Sequence, residues 1–255
     1  VADTLLVVRD LSMRFGGLLA VNGVSLTVDE RQIVSVIGPN GAGKTTVFNC
    51  ISGFYTPTEG EVVFQGKAMH KLPGHKIARE GMVRTFQNIR LFKEMTVLEN
   101  LLVAQHMHAE RNLLKGLLLT KNFRIKEQEL VERAAFWLER VGLLDFANRE
   151  AGTLAYGQQR RLEIARCMVT QPKLLMLDEP AAGLNPKETA ELNALIRELC
   201  HQHQVSVLLI EHDMKLVMDI SDQIVVINQG APLATGTPEE IQRNPDVIKA
   251  YLGEE

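Results

Sequence analysis

Apolar residues along this chain fall into two rhythms. Short runs of strand length, Leu5 to Val8, Val24 to Val28 and Ile33 to Ile37, occupy the first part and are separated by polar or glycine-rich residues that mark turns. A helix is expected from Lys44 to about Ser52, and a further strand, Glu61 to Phe64, sits between Gly60 and Gly66. From about Thr96 to Arg140 the rhythm changes. Val97, Leu98, Leu101 and Leu102, then Leu130, Ala134, Trp137, Leu138 and Val141, recur at helical spacing with charges between them. This predicts a helical subdomain, with Leu113 to Leu119 as a buried helix turn inside it.

After Tyr156, helix and strand alternate. Helices are predicted over Gln159 to Val169, Pro186 to Cys200 and Met214 to Asp219, and strands over Leu174 to Leu177, Val205 to Ile210 and Ile224 to Ile227. Such alternation implies right-handed βαβ units and a parallel sheet covered by helices, here gaining antiparallel strands near the N-terminus. Thr237-Pro238-Glu239-Glu240 carries the cap, first-turn proline and third-position glutamate of a capping box, so the tail beyond it is expected to be helical.

Composition narrows the function. With 255 residues, 45% of them hydrophobic, the chain can bury one large core with a small subdomain. The charge balance is 28 basic against 31 acidic, net −3, with no block of five like charges. Neither a nucleic-acid footprint nor a polybasic membrane anchor is expected. No apolar run approaches the ~20 residues of a membrane-spanning helix. No export signal is visible at the start, so a cytoplasmic location is expected, with any membrane association supplied by a partner. Cys50, Cys167 and Cys200 are odd in number, form no CxxC pair and read as reduced core thiols.

The strongest chemical signal is Gly38-Pro39-Asn40-Gly41-Ala42-Gly43-Lys44-Thr45, followed by Thr46. It matches G-x-x-x-x-G-K-[ST] and lies between an apolar strand and a helix, the context in which a P-loop works. Gly41 and Gly43 let the backbone turn its N–H groups toward phosphate oxygens, Lys44 reaches the β- and γ-phosphates of ATP, and the Thr45 hydroxyl can ligate Mg²⁺. Downstream, Leu174-Leu175-Met176-Leu177-Asp178-Glu179 delivers two carboxylates at the C-terminal end of a strand, the edge where open α/β sheets place their ligands. Asp178 suits Mg²⁺. Glu179 suits the polarisation of a water attacking the γ-phosphate.

Leu154-Ala155-Tyr156-Gly157-Gln158, followed by Gln159-Arg160-Arg161 shortly before that strand, resembles the signature sequence of the ABC transporter nucleotide-binding domains. The resemblance covers nearly the whole chain. It implies a P-loop NTPase fold: a mostly parallel RecA-like α/β core, residues 1–90 and 165–255, bearing an N-terminal antiparallel β subdomain and an inserted α-helical signature subdomain, residues 91–164. It also implies that Phe15, 23 positions before Gly38, stacks on adenine, that Gln87 senses Mg²⁺ and the attacking water, and that Asn88 to Asn100 meets a membrane subunit. His212 resembles the switch histidine that contacts the γ-phosphate. The resemblance further implies that the signature of one subunit faces the ATP of its partner, with Gly183, Leu184 and Asn185 in the loop between them.

Two departures refine this picture. Ala155 and Tyr156 stand where the family usually has serine and glycine, and Asn185 where it usually has aspartate. Together with Arg84-Thr85-Phe86-Gln87 and Pro180-Ala181-Ala182-Gly183-Leu184-Asn185-Pro186, they resemble one of the two ATP-binding subunits of bacterial branched-chain amino acid importers. That likeness implies an ATPase on the cytoplasmic face of the inner membrane. Its partners would be a second ABC ATPase subunit, in a homo- or heterodimer, two integral membrane permease subunits and, indirectly, a periplasmic solute-binding protein. The alternatives are the same role for urea, an amide or another amino acid, or an ABC ATPase outside transport.

Overall fold

The computed structural model describes residues 3–105 and 121–252 and divides them into two compact units. The first comprises residues up to Gln87 and from Lys173 onward; the second runs from Asn88 to Pro172. The expected subdomain boundary at residue 164 falls inside a helix, which the second unit keeps whole.

The first unit holds two sheets. One is antiparallel, in the order β2-β1-β4-β5, from β1 (Thr4–Phe15), β2 (Leu18–Asp29), β4 (Glu59–Phe64) and β5 (Lys67–Ala68). The other has the order β10-β9-β3-β8-β7-β6, from β3 (Ile33–Ile37), β6 (Met82–Arg84), β7 (Leu174–Asp178), β8 (Ser206–Ile210), β9 (Gln223–Asn228) and β10 (Ala231–Gly236). Its strands pair in parallel except for β10, which runs antiparallel to β9. The antiparallel strands near the N-terminus therefore form a sheet of their own and do not extend the parallel one.

Every residue of β3, β7 and β8 is buried, as strands covered on both faces require. Alternate side chains serve two cores. Val34, Val36, Met176, Leu208, Ile210, Val225 and Ile227 join Val47, Phe48 and Ile51 of α1 (Lys44–Ile51) and the inner side of the antiparallel sheet. Ile37, Ile224 and Val226 face the other way, onto Val217, Ile241 and Val247. These last residues belong to α7 (Met214–Ile220), α8 (Pro238–Gln242) and α9 (Pro245–Leu252); α2 (Gly74–Arg79) and α6 (Pro186–His201) complete the unit.

In the second unit Thr96 and Glu99 exchange the bonds of a capping box that starts α3 (Val97–Ala104). On α4 (Lys121–Arg140) Ala134, Trp137 and Leu138, one to four residues apart, bury one face together with Val141 just beyond. The predicted turn at Leu113 to Leu119 lies outside the described residues. Asn100 is fully buried, its amide bridging the carbonyls of Phe92 and Thr96, so this end of the segment expected to meet a membrane subunit faces inward while Phe92 is half exposed.

The structure also corrects several predicted extents. β1 and β2 run to twelve residues each, because pairing continues through polar positions past register shifts near Leu11 and Met13. The tail is helical as expected, in two pieces: Asn244 and Pro245 stop α8, and the Asn244 side chain accepts from the N–H groups of Asp246 and Val247 to start α9. β5, α2, β6 and β10 are short or polar and carried no periodic signal.

Candidate functional site

β3 ends at Ile37, and the chain enters α1 through Gly38 to Gly43. Gly38 has φ +152°, and a β-carbon there would sit 1.9 Å from the Ile227 carbonyl oxygen; at Gly43, φ +96°, it would sit 2.8 Å from that of Ala20. Glycine is required at both places by the neighbouring backbone. Lys44 is buried, and its Nζ donates to the carbonyls of Gly38 at 2.6 Å and Pro39 at 2.8 Å, so the ammonium arches over the loop. Thr45 and Thr46 lie in the first turn of α1, Thr45 exposed; Pro39 and Ala42 are buried, while Asn40 and Gly41 are exposed.

The same close approach at Gly43 places the start of β2 against this loop. Phe15 pairs with Leu18 across the tight turn at Gly16, where φ is +57°. Its ring is 41% exposed and held edge-on by Tyr55, centroids 5.2 Å apart. Phe15 is thereby fixed on one side and partly open to the surface.

β7 brings the two carboxylates to its end in different settings. Asp178 is buried and accepts from Arg84 Nη2 at 2.6 Å. Arg84, on the neighbouring β6, also donates from Nη1 to Asn49 Oδ1 at 2.7 Å and Ser52 Oγ at 2.9 Å, and lies over the rings of Phe48 and Phe86. One guanidinium therefore ties Asp178 to the helix that leaves the glycine loop. Glu179 leaves the strand with φ +47°, a left-handed backbone costing about 1 kcal/mol or more for a non-glycine residue, and its N–H donates to the Ile210 carbonyl at the end of β8. Gln87 Nε2 donates to Glu179 Oε2 at 2.8 Å, and His212 Nδ1 lies 3.9 Å from that oxygen. Gln87, Glu179 and His212 thus converge.

Glu211 is a buried carboxylate beside them. It accepts from the N–H groups of Ala181 at 2.8 Å and His212 at 3.1 Å. Burial pushes its carboxyl above the usual range against the pull of those hydrogen bonds.

Beyond Glu179 the loop turns at Gly183, φ +80°, and Leu184 is half-buried. Asn185 Oδ1 accepts from the N–H groups of Lys187 and Glu188, both at 3.0 Å, and Glu188 accepts from the Asn185 N–H in return. The asparagine that replaces the usual aspartate is thus a full helix cap.

In the second unit Tyr156 opens α5 (Tyr156–Met168), three residues earlier than periodicity indicated. Leu154 and Gly157 are buried, while Ala155 and Tyr156 are exposed. Ala155 is the N-cap and offers no side-chain acceptor; Gln158 Oε1 turns back to accept from its N–H at 3.1 Å. The Tyr156 hydroxyl accepts from Arg160 Nη2 at 3.3 Å, and Arg160 is fully buried in an ion pair of 2.9 Å with Glu163. Burial pushes the Glu163 carboxyl up.

Comparison with known proteins places the chain in a family. Residues 21–182 match the family described as ABC transporter, and residues 231–255 the one described as branched-chain amino acid ATP-binding cassette transporter. This chain belongs to the ABC transporter family. The cassette is 71% identical to the high-affinity branched-chain amino acid transport ATP-binding protein of Pseudomonas aeruginosa over 98% of both chains. It is 65% identical to the corresponding protein of Escherichia coli K12 over 99% of both. A crystal structure of the ADP conformation of an ATP-binding cassette from an ABC transporter superposes with a TM-score of 0.85 at 34% identity, covering 98% of this chain and 99% of the other. The fold class is therefore that of the ABC cassettes.

Two side chains that tie this arrangement together were given no role of their own in the sequence reading. Glu211 directly follows the apolar strand β8 as Glu179 follows β7, so the rule that singled out the carboxylates at the end of β7 also finds it. Arg84 ends β6, but a three-residue strand gives too little pattern to mark its last residue as a strand end.

Proposed function

We propose that this chain is the ATP-hydrolysing subunit that energises a membrane importer of branched-chain amino acids. The observation that carries hydrolysis is the convergence of Gln87 and His212 on one oxygen of Glu179. A carboxylate so placed at a strand end accepts a proton from the attacking water, while Gln87 orients that water and His212 meets the γ-phosphate. Lys44 and the N–H groups of the Gly38 to Thr46 segment hold the phosphates, and Phe15 offers the adenine a ring face.

Among the described residues no group of three or more His, Cys, Asp or Glu side chains is set to hold a metal. Mg²⁺ in phosphoryl-transfer sites needs only one or two protein oxygens, because phosphate and water supply the rest. The Thr45 hydroxyl and the Asp178 carboxylate, which keeps acceptor positions beside its bond to Arg84, are donors of that kind, and the Gln87 side-chain oxygen would be a third. When bound, the ion screens charge on the β- and γ-phosphates.

Leu154 to Gln158 would face ATP held by a second ATP-binding subunit, with Gly183 to Asn185 in the contact between the two. Described helices are none long and apolar enough to cross a membrane. Two permease subunits would therefore carry the solute, with the cassette at their cytoplasmic face and a periplasmic binding protein delivering cargo. The cargo rests on the relatives' names. Reconstituting the chain with its membrane partners and binding protein tests it: leucine, isoleucine and valine should stimulate ATP hydrolysis, and stimulation by urea or amides in their place would reassign the cargo.

A further inference from the structure

Glu211 is 1% exposed, and each hydrogen bond it accepts comes from backbone: Ala181 N–H on one oxygen at 2.8 Å, and on the other His212 N–H at 3.1 Å with Asp213 N–H more distantly at 3.5 Å. Those donors sit on two different loops. Ala181 begins the turn that leads from Glu179 to Gly183 and Asn185; His212 and Asp213 form the turn from β8 into α7. A buried carboxylate held by N–H groups from two loops fixes their separation, since its two oxygens are rigidly spaced and charge-assisted hydrogen bonds are the strong ones. His212 Nδ1 is 3.9 Å from Glu211 Oε2 and 3.9 Å from Glu179 Oε2, so the imidazole lies between the two carboxylates.

We propose that Glu211 is a positioning residue for hydrolysis, clamping the Ala181 loop to the His212 turn so that the histidine and Glu179 keep one register. This deepens the hydrolytic reading of the site and rests on it. The same clamp makes the position of the 181–185 loop, where a second subunit would bear, felt at His212. Displacement of the loop pulls on the carboxylate, and the carboxylate holds the N–H of the histidine. Glu211 would not touch the nucleotide; its effect reaches the chemistry through His212.

Glu211→Gln tests this. The amide keeps one oxygen for one loop but presents an NH₂ to the other, so the clamp opens with little change in volume. In the assembled transporter kcat should fall about tenfold or more per folded cassette, with KM for ATP within about twofold, the pattern of an interaction used in the transition state. Hydrogen exchange should accelerate at both 179–185 and 210–214. Glu211→Ala should lower kcat further, and if that variant does not fold, Glu211→Gln still decides. An unchanged kcat in Glu211→Gln, or faster exchange in one loop alone, overturns the clamp. Wild-type transporter without ATPase activity would instead overturn the hydrolytic reading.

Discussion

Arg84 meets Asp178 at 2.6 Å with only 6% and 4% of the two side chains exposed. Removing one member of so buried a pair strands the other charge, so Arg84→Ala should destabilise the first unit by about 3–5 kcal/mol. Arg84→Lys keeps the charge but cannot reach Asn49, Ser52 and Asp178 together, and should fall between. Urea unfolding of the isolated chain measures both.

Glu179→Gln should leave nucleotide binding within about threefold of wild type while hydrolysis drops by about a hundredfold or more, because the acceptor for the proton of water is gone and the phosphate loop is untouched. Steady-state ATPase assays and nucleotide titration separate the two effects. Activity near wild type would remove Glu179 from its assigned role.

Lys44→Ala should act the other way round. Losing the ammonium above the loop removes a charge-assisted contact to phosphate, weakening ATP binding by about 10- to 100-fold. Calorimetric titration reads it directly.

Asn185 and aspartate are nearly equal as helix caps. Asn185→Asp should leave stability within a few tenths of a kcal/mol, whereas Asn185→Ala should cost about 1 kcal/mol by opening both bonds to the first turn of α6. Thermal unfolding distinguishes them.

Burial raises the thiols of Cys50 and Cys200 to about 11 and Cys167 to about 12. An unfolded thiol titrates near pH ~8.5. The folded state therefore binds these protons more tightly, and stability is full below pH ~8.5 and is lost as pH rises from there toward 11. Denaturation between pH 7 and 10 should show the decline, and a thiol reagent should modify native protein far more slowly than unfolded protein.

The strands β3, β7, β8 and β9 were legible in sequence because each is an apolar run ended by polar or glycine residues, and burial on both faces leaves no other composition open to them. The glycine loop was legible because its motif sits between such a strand and a helix. What escaped was long-range. The division into two sheets depends on β1 pairing β4 across the sequence, which no local pattern states. The convergence of Gln87 and His212 on Glu179 likewise joins residues 92 and 33 positions away, and resemblance could name their roles but not the shared oxygen. The early start of α5 was hidden because Tyr156, Gly157 and Gln158 make no apolar period with Leu162 and Ile164.

Helix starts differ across this protein in a way that bears on phosphate. Thr96, Asn185, Asp213, Thr237 and Asn244 each cap their helix with a side-chain oxygen, so those helices are complete as the chain supplies them. α1 and α5 begin at Gly43 and Ala155, which carry no such group. A helix begun that way is stabilised by any anion that approaches its first turn. Heat resistance in the neighbourhood of α1 and α5 should accordingly rise with nucleotide, while the five self-capped helices, needing nothing from outside, should respond only through their contacts with the rest.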